Sequence, residues 1–289
     1  MQKVMLSRAL ELLEQGKVNR VLAWEKGLFE YDNMPAIFSS AEDLNNKFIF
    51  NDYCGANLSK YLVKESDKEG VVAVFLKPCD TYSFNQLMAE HKIKRENVYV
   101  IGIECNGMKD ASGEIAERCV TCKSRKLVAY DEIIGNDGEV RNEGRFDLVE
   151  KLENMTADER FEFWRGELSR CIRCNACRNV CPACTCEKCI FDNPNSGVDN
   201  KAPVSSFEEN MFHIIRAFHV AGRCTDCGEC SRVCPEHIPL HLLNRKFIKD
   251  INALYGEYQA GESVNERGPL VSYTKEDVEP SIVHERGNK

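Results

Sequence analysis

The sequence CIRCNACRNVCP at residues 171–182 recurs, with the same spacing, as CTDCGECSRVCP at residues 224–235. Each stretch reads C-x2-C-x2-C-x3-C-P, the spacing that wraps thiolates around a cubane [4Fe-4S] cluster. The eight cysteines are Cys171, Cys174, Cys177, Cys181, Cys224, Cys227, Cys230 and Cys234. Because the fourth cysteine of such a run usually ligates the neighbouring cluster, the spacing predicts two clusters with crossed ligand sets.

The crossed arrangement assigns the first three cysteines of each run, together with the last cysteine of the other run, to one cluster. The predicted sets are Cys171, Cys174, Cys177 and Cys234 for one cluster, and Cys224, Cys227, Cys230 and Cys181 for the other. Zinc is the alternative ligand of C-x2-C pairs, but four cysteines in one tight run followed by proline favour clusters.

The composition is that of an ordinary globular protein: 289 residues, 43% hydrophobic and 29% charged, long enough for two domains. Sixteen cysteines in metal-ligand spacings, without an apolar signal segment at the N-terminus, indicate a reducing cytoplasm rather than a disulfide scaffold. No apolar run approaches the roughly 20 residues of a membrane-spanning helix. The formal charge of −8 argues against a nucleic-acid partner.

The first part of the chain, residues 1–150, has the pattern of an α/β domain with a mostly parallel sheet. Strands are predicted at 71–76 and 98–103, with a helix at 81–90 between them. Such a βαβ unit places its two strands in parallel with a right-handed crossover. Further elements are predicted as helices at 1–15 and 52–64 and as a strand at 20–24.

The second part, residues 151–260, has helical composition around the two cysteine runs. A helical stretch at 148–168 leads to the first run, and a loop at 192–206 and a helix at 207–220 connect the two runs. We therefore expect a helical dicluster ferredoxin domain after the α/β domain. Residues 261–289 are polar and without periodicity, which predicts a tail that lies on a partner or is disordered.

Two further cysteines follow the paired strands, Cys79 after 71–76 and Cys105 after 98–103. Open α/β sheets bind ligands at the carboxyl ends of parallel strands, and Cys119 and Cys122 lie only a loop away. These four cysteines predict a third metal centre, with a cluster favoured over zinc. The helix that begins near Asp80 would also favour the thiolate of Cys79.

The alternative for these four cysteines is structural. Cys79 and Cys105 would then be small buried hydrophobic residues, as free cysteines often are. Cys119 and Cys122 would form an isolated zinc pair or a redox thiol pair.

The remaining cysteines are a trio, Cys184, Cys186 and Cys189, and the isolated Cys54. Together they would complete a fourth metal site, although nothing in the sequence brings Cys54 to the trio. The alternatives are that they cap the first cluster loop, join the strand-edge cysteines or remain free thiols.

The histidines and arginines near the runs have ordinary explanations. His213 and His219, and also His237 and His241, fit surface or cluster-screening residues better than ligands, because no acidic ligand motif accompanies them. Arginines that flank the runs would offset the negative charge of the clusters, or are surface residues: Arg170, Arg173, Arg178, Arg223 and Arg232. Neither a G-x-G-x-x-G after a strand nor a P-loop is present.

The segments KPCD at residues 77–80 and GIECNG at residues 102–107, followed by the first cysteine run, resemble the β-subunit family of coenzyme F420-reducing hydrogenases and formate dehydrogenases. The resemblance covers roughly residues 1–250. The helical connection between the runs is similar to the dicluster ferredoxin modules of the iron–sulfur subunits of heterodisulfide reductase, glycerol-3-phosphate dehydrogenase and succinate dehydrogenase.

The resemblance implies an iron–sulfur electron-transfer subunit of a cytoplasmic redox complex in an anaerobe. Its partner would be a catalytic subunit of the hydrogenase, formate dehydrogenase or heterodisulfide reductase type, and ferredoxin or F420 would be a second carrier. The alternative is a subunit that contains FAD and itself reduces or oxidises F420, ferredoxin or a nicotinamide. A third hypothesis, a zinc-stabilised interaction protein, predicts a colourless preparation.

Overall fold

A computed structural model describes residues 1–199, 201, 203, 207–266 and 268–270. Its strands are β1 (Arg20–Lys26), β2 (Asn33–Phe38), β3 (Val72–Leu76), β4 (Val98–Ile103) and β5 (Glu132–Ile134). Over the described residues they form one sheet in the order β2-β1-β3-β4-β5, in which only β2 is antiparallel to its neighbour. The predicted α/β domain with a mostly parallel sheet is confirmed.

The helices lie on both sides of this sheet and then form the second half of the chain. They are α1 (Gln2–Glu14), α2 (Ala41–Lys47), α3 (Leu62–Glu65), α4 (Pro78–Ala89), α5 (Glu117–Val120), α6 (Asp147–Glu153), α7 (Ala157–Ser169), α8 (Ala176–Asn179), α9 (Phe207–His219), α10 (Glu229–Arg232) and α11 (Leu240–Tyr255). Short 3-10 turns occur at Ser59–Tyr61, Arg95–Asn97, Ile190–Asp192 and Pro194–Ser196. A helical region that contains the cysteine runs therefore follows the sheet, as predicted.

The unit β3-α4-β4 has the parallel pairing that the sequence predicts, with Val72 opposite Val98 and Leu76 opposite Gly102. Every residue of β3 is buried, because the strand is central and both faces of the sheet are covered. The consequence for the site is geometric. The residues after β3 and after β4 leave the sheet at the same edge.

The predicted helix at 52–64 is wrong over most of its length. Only the turn Ser59–Tyr61 and α3 are helical, and the residues before them form a loop. Asn51 accepts a hydrogen bond from the backbone N–H of Tyr53, and Asn57 accepts one from that of Ser59. Such local side-chain bonds offer the backbone an alternative to a helix.

The predicted helix at 148–168 is divided into α6 and α7. Thr156 caps α7: its Oγ1 accepts from the N–H of Glu159, and the Glu159 carboxylate accepts from the N–H of Thr156. This capping box starts a new helix in the middle of a stretch whose composition is helical throughout.

Helix α4 lies between the sheet and the cysteine-bearing region, so most of its residues are buried. Its Ser83 hydroxyl is 2.8 Å from the hydroxyl of Thr225, in the second cysteine run. The first residues of the predicted tail also pack on this helix, where Gly261 has φ +77° and an added Cβ would collide with the carbonyl of Tyr82. These tail residues therefore lie on their own chain, while residues 271–289 are outside the described part.

Candidate metal centres

The two cysteine runs of the structure line two separate cavities, and each cavity takes cysteines from both runs. Cavity A is lined by Cys171, Cys174, Cys177 and Cys234. Cavity B is lined by Cys181, Cys224, Cys227 and Cys230. The chain thus brings together the same two crossed groups of four that the spacing predicts.

The backbone of the two runs follows the same path. Residues at the same two positions after the first cysteine have positive φ, Arg173 and Asn175 in the first run and Asp226 and Gly228 in the second. This path turns the N–H of Arg173 towards the Sγ of Cys171, at 3.3 Å. Backbone N–H groups that point at sulfur stabilise a thiolate and tune the potential of a cluster.

Buried polar groups without partners lie beside these cavities. The ring nitrogens of His213, which lines cavity A, have no hydrogen-bond partner among the described residues. Burial, with the charges of Arg216 and Arg173, lowers the pKa of His213 to about 3. The three guanidinium nitrogens of Arg216 also have no partner in the described part of the chain, although the residue is 2% exposed.

Arg216 faces the thiols of both runs, since its charge acts on Cys177 of cavity A and on Cys230 and Cys181 of cavity B. A buried guanidinium without an acceptor is costly, and an anionic cluster would supply the missing acceptor. The residues therefore fit thiolate-ligated clusters.

The arginines that flank the runs are each paired with a carboxylate. The pairs are Arg170–Glu167, Arg173–Glu209, Arg178–Asp192, Arg223–Glu90 and Arg232–Glu229. Their positive charge is therefore balanced locally. The unpartnered Arg216 was missed by the sequence analysis, although a charged residue one turn after His213, on the buried face of α9, is a usable signal.

Two buried ion pairs hold the second run against the rest of the chain. Asp226 lies between Arg145 and Arg245, at 2.9 and 2.8 Å, and all three side chains are buried. Burial raises the pKa of Asp226, but these arginines and Lys123 outweigh it and lower the pKa to about 2. The carboxylate therefore stays charged beside cavity B.

Glu229 has a similar environment on the other side of the run. Arg118, from α5, lies 2.6 Å from its carboxylate, and Arg232 lies 2.7 Å away. Burial raises the pKa of Glu229, and Arg232 and Arg118 overcome this effect and lower the pKa to about 2. Arg118 also donates to the carbonyl of Cys227 at 3.1 Å, so α5 is fixed against cavity B.

The strand-edge cysteines line a third cavity. Cavity C is lined by Cys79, Cys105, Cys119 and Cys122, the four residues that the sequence places at this edge. Its volume is about 30 Å³, against about 20 Å³ for each of cavities A and B. Cys227 and Asp226 line both cavity B and cavity C, so these two cavities are neighbours.

The thiol of Cys79 does not have the low pKa that the helix terminus predicts. Cys79 is the second residue of α4, but burial and the carboxylate of Asp80 raise its pKa well above the ordinary value. The dipole of the helix favours the thiolate, but the loss of solvent around the buried sulfur disfavours it more strongly. Lys77 opposes the effect: it is 1% exposed, lies 2.9 Å from Asp80 and reduces the rise at both Cys79 and Cys105.

The trio lines a fourth, larger cavity. Cavity D has a volume of about 580 Å³, and Cys184, Cys186 and Cys189 lie on its wall. Cys54 is elsewhere: it is fully buried in the core of the α/β domain, where its Sγ is 3.6 Å from Asn33. The structure does not bring Cys54 to the trio.

The histidine pair at 237 and 241 does not form a metal site. His237 has φ +53° and precedes α11, whereas His241 is buried in the first turn of that helix. The Nδ1 of His241 is 2.8 Å from the hydroxyl of Ser231. Burial, together with the charge of Arg245, lowers the pKa of His241 to about 4.

Comparisons with known proteins agree with this geometry. Residues 167–238 match the family model of the 4Fe-4S dicluster domain, which implies two [4Fe-4S] clusters in this region. The chain is also distantly related to the F420-dependent formate dehydrogenase subunit beta of Methanocaldococcus jannaschii, with 23% identity over 82% of this chain and 86% of that protein. It is 24% identical to the F420-dependent formate dehydrogenase 1 subunit beta of Methanococcus maripaludis, over 73% of this chain and 78% of that protein.

The resemblance to β subunits is therefore confirmed as a distant homology, and the helical region contains a dicluster domain at residues 167–238. Within the described part of the chain, no helix combines the length and apolar character that crossing a membrane requires.

Proposed function

We propose that this iron–sulfur protein is an electron-transfer subunit of a redox complex, in which it relays electrons between a catalytic partner subunit and a second carrier. The observation that carries the proposal is the grouping of the eight run cysteines into cavities A and B, in the crossed sets that two [4Fe-4S] clusters require. Clusters of this kind accept and release one electron each.

The ligands of the two clusters are proposed from the cavity walls. Cys171, Cys174, Cys177 and Cys234 hold the cluster of cavity A, and Cys181, Cys224, Cys227 and Cys230 hold that of cavity B. Arg216 lies by the thiols of both sets and balances their negative charge. The close approach of Cys177 and Cys230, which pack in one buried group, places the two sites side by side.

We further propose a third centre in cavity C, with Cys79, Cys105, Cys119 and Cys122 as ligands. Three features support it: four cysteines on one wall, a volume close to that of cavities A and B, and two buried cations. Lys77 and Arg118 are these cations, and both line the cavity. Ligation replaces each thiol by a thiolate, and because burial raises the pKa of Cys79 and Cys105, metal binding there releases protons.

The order of the cavities suggests a path along the molecule. Cavity C adjoins cavity B through Cys227, and cavities B and A are linked by one buried group that contains both Cys230 and Cys177. Cys174 of cavity A is exposed. The path therefore runs from the edge of the α/β sheet to a surface where a partner can dock.

A partner of the formate dehydrogenase type is proposed from the relatives, which are named as subunits of F420-dependent formate dehydrogenases. The same names favour a second candidate function, in which the chain itself exchanges electrons with F420. We propose FAD as the group that it would then contain. A bound flavin distinguishes this function from a relay that contains clusters alone.

The proposal is tested by the content of iron, acid-labile sulfide, zinc and flavin per chain of protein purified without oxygen. The wild type is compared with Cys105→Ala, which should lose about 4 irons, one cluster's worth, and keep the others. Full retention of iron in this variant would remove the third centre from the proposal. A colourless protein that contains zinc and no sulfide would overturn the electron-transfer function itself.

A further inference from the structure

Cavity D has features that neither the dicluster domain nor the proposed third centre explains. Three cysteines, Cys184, Cys186 and Cys189, lie on its wall within six consecutive residues, where they follow the first cysteine run directly. Because Cys54 lies in the core of the α/β domain, no unassigned cysteine of this chain is left as a fourth ligand for the trio. The question is which ligand the three thiols can hold.

The wall of cavity D carries several basic side chains, of which Arg178 is paired with Asp192 and Arg223 with Glu90. Four basic side chains line it, against two carboxylates: Lys60, Arg178, Arg216 and Arg223 against Glu187 and Asp192. The buried Arg216, whose nitrogens have no hydrogen-bond partner among the described residues, is one of them. Arg216, which balances the thiolates of cavities A and B, therefore also lies beside Cys184 of the trio.

Two of the basic groups lie beside the trio. Arg178 lines the same wall as Cys189, where it donates to the carboxylate of Asp192 at 2.7 Å. Lys60 donates to the backbone carbonyls of Cys181 and Cys184. The anion that the cavity suits therefore lies at the cysteines themselves, as the thiolates of a metal centre do.

The trio offers thiolate ligands, which iron–sulfur clusters take. It has the same ligand chemistry as the cysteines of cavities A and B and follows the first run directly in the sequence. Three thiolates can hold a cubane at three of its irons and leave the fourth iron open to the cavity. The volume of about 580 Å³ leaves room for a further ligand at that iron.

From these observations we propose that Cys184, Cys186 and Cys189 hold an additional [4Fe-4S] cluster in cavity D, ligated by three thiolates. Each thiol gives up its proton when it binds iron. The site adjoins cavity B: the backbone N–H of Cys184 donates to the carbonyl of Cys181 at 3.1 Å, and Ala183 lines both cavities.

This additional site makes the path through the protein branch. Cavity B then has three neighbours. These are cavity A, through the buried group that contains both Cys177 and Cys230, cavity C at Cys227 and cavity D at Ala183. This part of the inference rests on the proposed electron-transfer function. The presence of a cluster at the trio does not.

The test is the iron and sulfide content of the full-length protein, purified without oxygen, as Cys186→Ala and as Cys189→Ala. Each variant should lose about 4 irons and an equal amount of sulfide relative to the wild type. The matched control is Cys54→Ala, a buried cysteine that lines none of the four cavities, and it should keep all its iron. Wild-type iron content in both trio variants, or loss of zinc instead of iron, would overturn the proposal.

Two further measurements separate this result from other failures. Cys105→Ala reports on cavity C alone. If Cys189→Ala loses iron and Cys105→Ala keeps all of it, the cluster in cavity D is supported and the third centre in cavity C is not. If an alanine variant does not fold, Arg178→Leu replaces it. This variant keeps all the cysteines and should shift the reduction potential of one EPR signal, whereas a set of unchanged potentials would contradict a cluster beside Arg178.

Discussion

The two cysteine runs share one spacing and one backbone path, but their surroundings differ. The second run is enclosed: Asp226 and Glu229 form buried ion pairs with arginines from α11, α5 and the loop before α6. The first run lies nearer the surface, where Ile172 is 57% exposed and Cys174 is exposed. The same motif thus forms a site inside the protein in the second run and a site near the surface in the first run.

The two runs also carry opposite charges at one pair of equivalent positions. Two residues after the first cysteine, the first run has Arg173, paired with Glu209, and the second run has Asp226, paired with two arginines. Five residues after it, the first run has Ala176 and the second has the buried Glu229. Sequence spacing determines the ligands of a cluster, and these neighbours determine where the cluster lies and how it is tuned.

Removal of the equivalent second cysteine from each run should give the largest contrast. Cys227→Ala should cost the cluster of cavity B and loosen the packing of cavity C, which Cys227 also lines. Cys174→Ala should lose about 4 irons from cavity A and leave the α/β domain folded. Iron content and the midpoint of thermal unfolding measure both effects. Equal loss of stability in the two variants would contradict the distinction between an internal and a surface site.

The buried ion pair of the second run gives the next effect. Glu229→Ala, which copies the alanine of the first run, leaves Arg118 buried without its partner and should cost about 3–5 kcal/mol of unfolding free energy. Asp192→Ala is the matched control near the first run, since its pair with Arg178 is half exposed and should contribute at most about 1 kcal/mol. Urea denaturation under anaerobic conditions measures both. A cost for Glu229→Ala no larger than that for Asp192→Ala would show that the second run is not held by this pair.

A smaller effect is expected from the residues with positive φ. Gly228→Ala forces an alanine into the left-handed region at a cost of about 1–2 kcal/mol, and its Cβ would collide with the side chain of Arg118. At the equivalent position of the first run, Asn175→Gly should change stability by only a few tenths of a kcal/mol, roughly the difference between two residues that tolerate this conformation. The same urea titration compares them. Tolerance of alanine at 228 would mean that Arg118 can move away from cavity B.

The sequence was sufficient for the parts of the site that depend on local spacing and on strand order. The crossed groups of cysteines follow from one motif, and the meeting of Cys79 and Cys105 follows from the parallel pairing of β3 and β4. The environment of the thiols could not be obtained in this way. The raised pKa of Cys79 depends on burial by residues distant in sequence, and the position of Cys54 depends on how residues 51–58 turn.

The smallest expected effect concerns the reduction potentials. Positive charge near a cluster stabilises its reduced, more negative form, so Arg173→Gln should lower the potential of the cluster in cavity A. Asp226→Asn, which keeps the shape of the side chain, should raise the potential of the cluster in cavity B. At the separations of neighbouring side chains, one unit charge should shift a potential by on the order of tens of millivolts.

An anaerobic EPR-monitored redox titration measures these shifts, and the signals lost in Cys174→Ala and Cys227→Ala assign them to the two cavities. Opposite shifts in the two variants would show that the reversed charge separates the potentials of two clusters with the same ligand spacing. Shifts of the same sign would contradict this charge effect, because loss of a positive and loss of a negative charge must move a nearby potential in opposite directions.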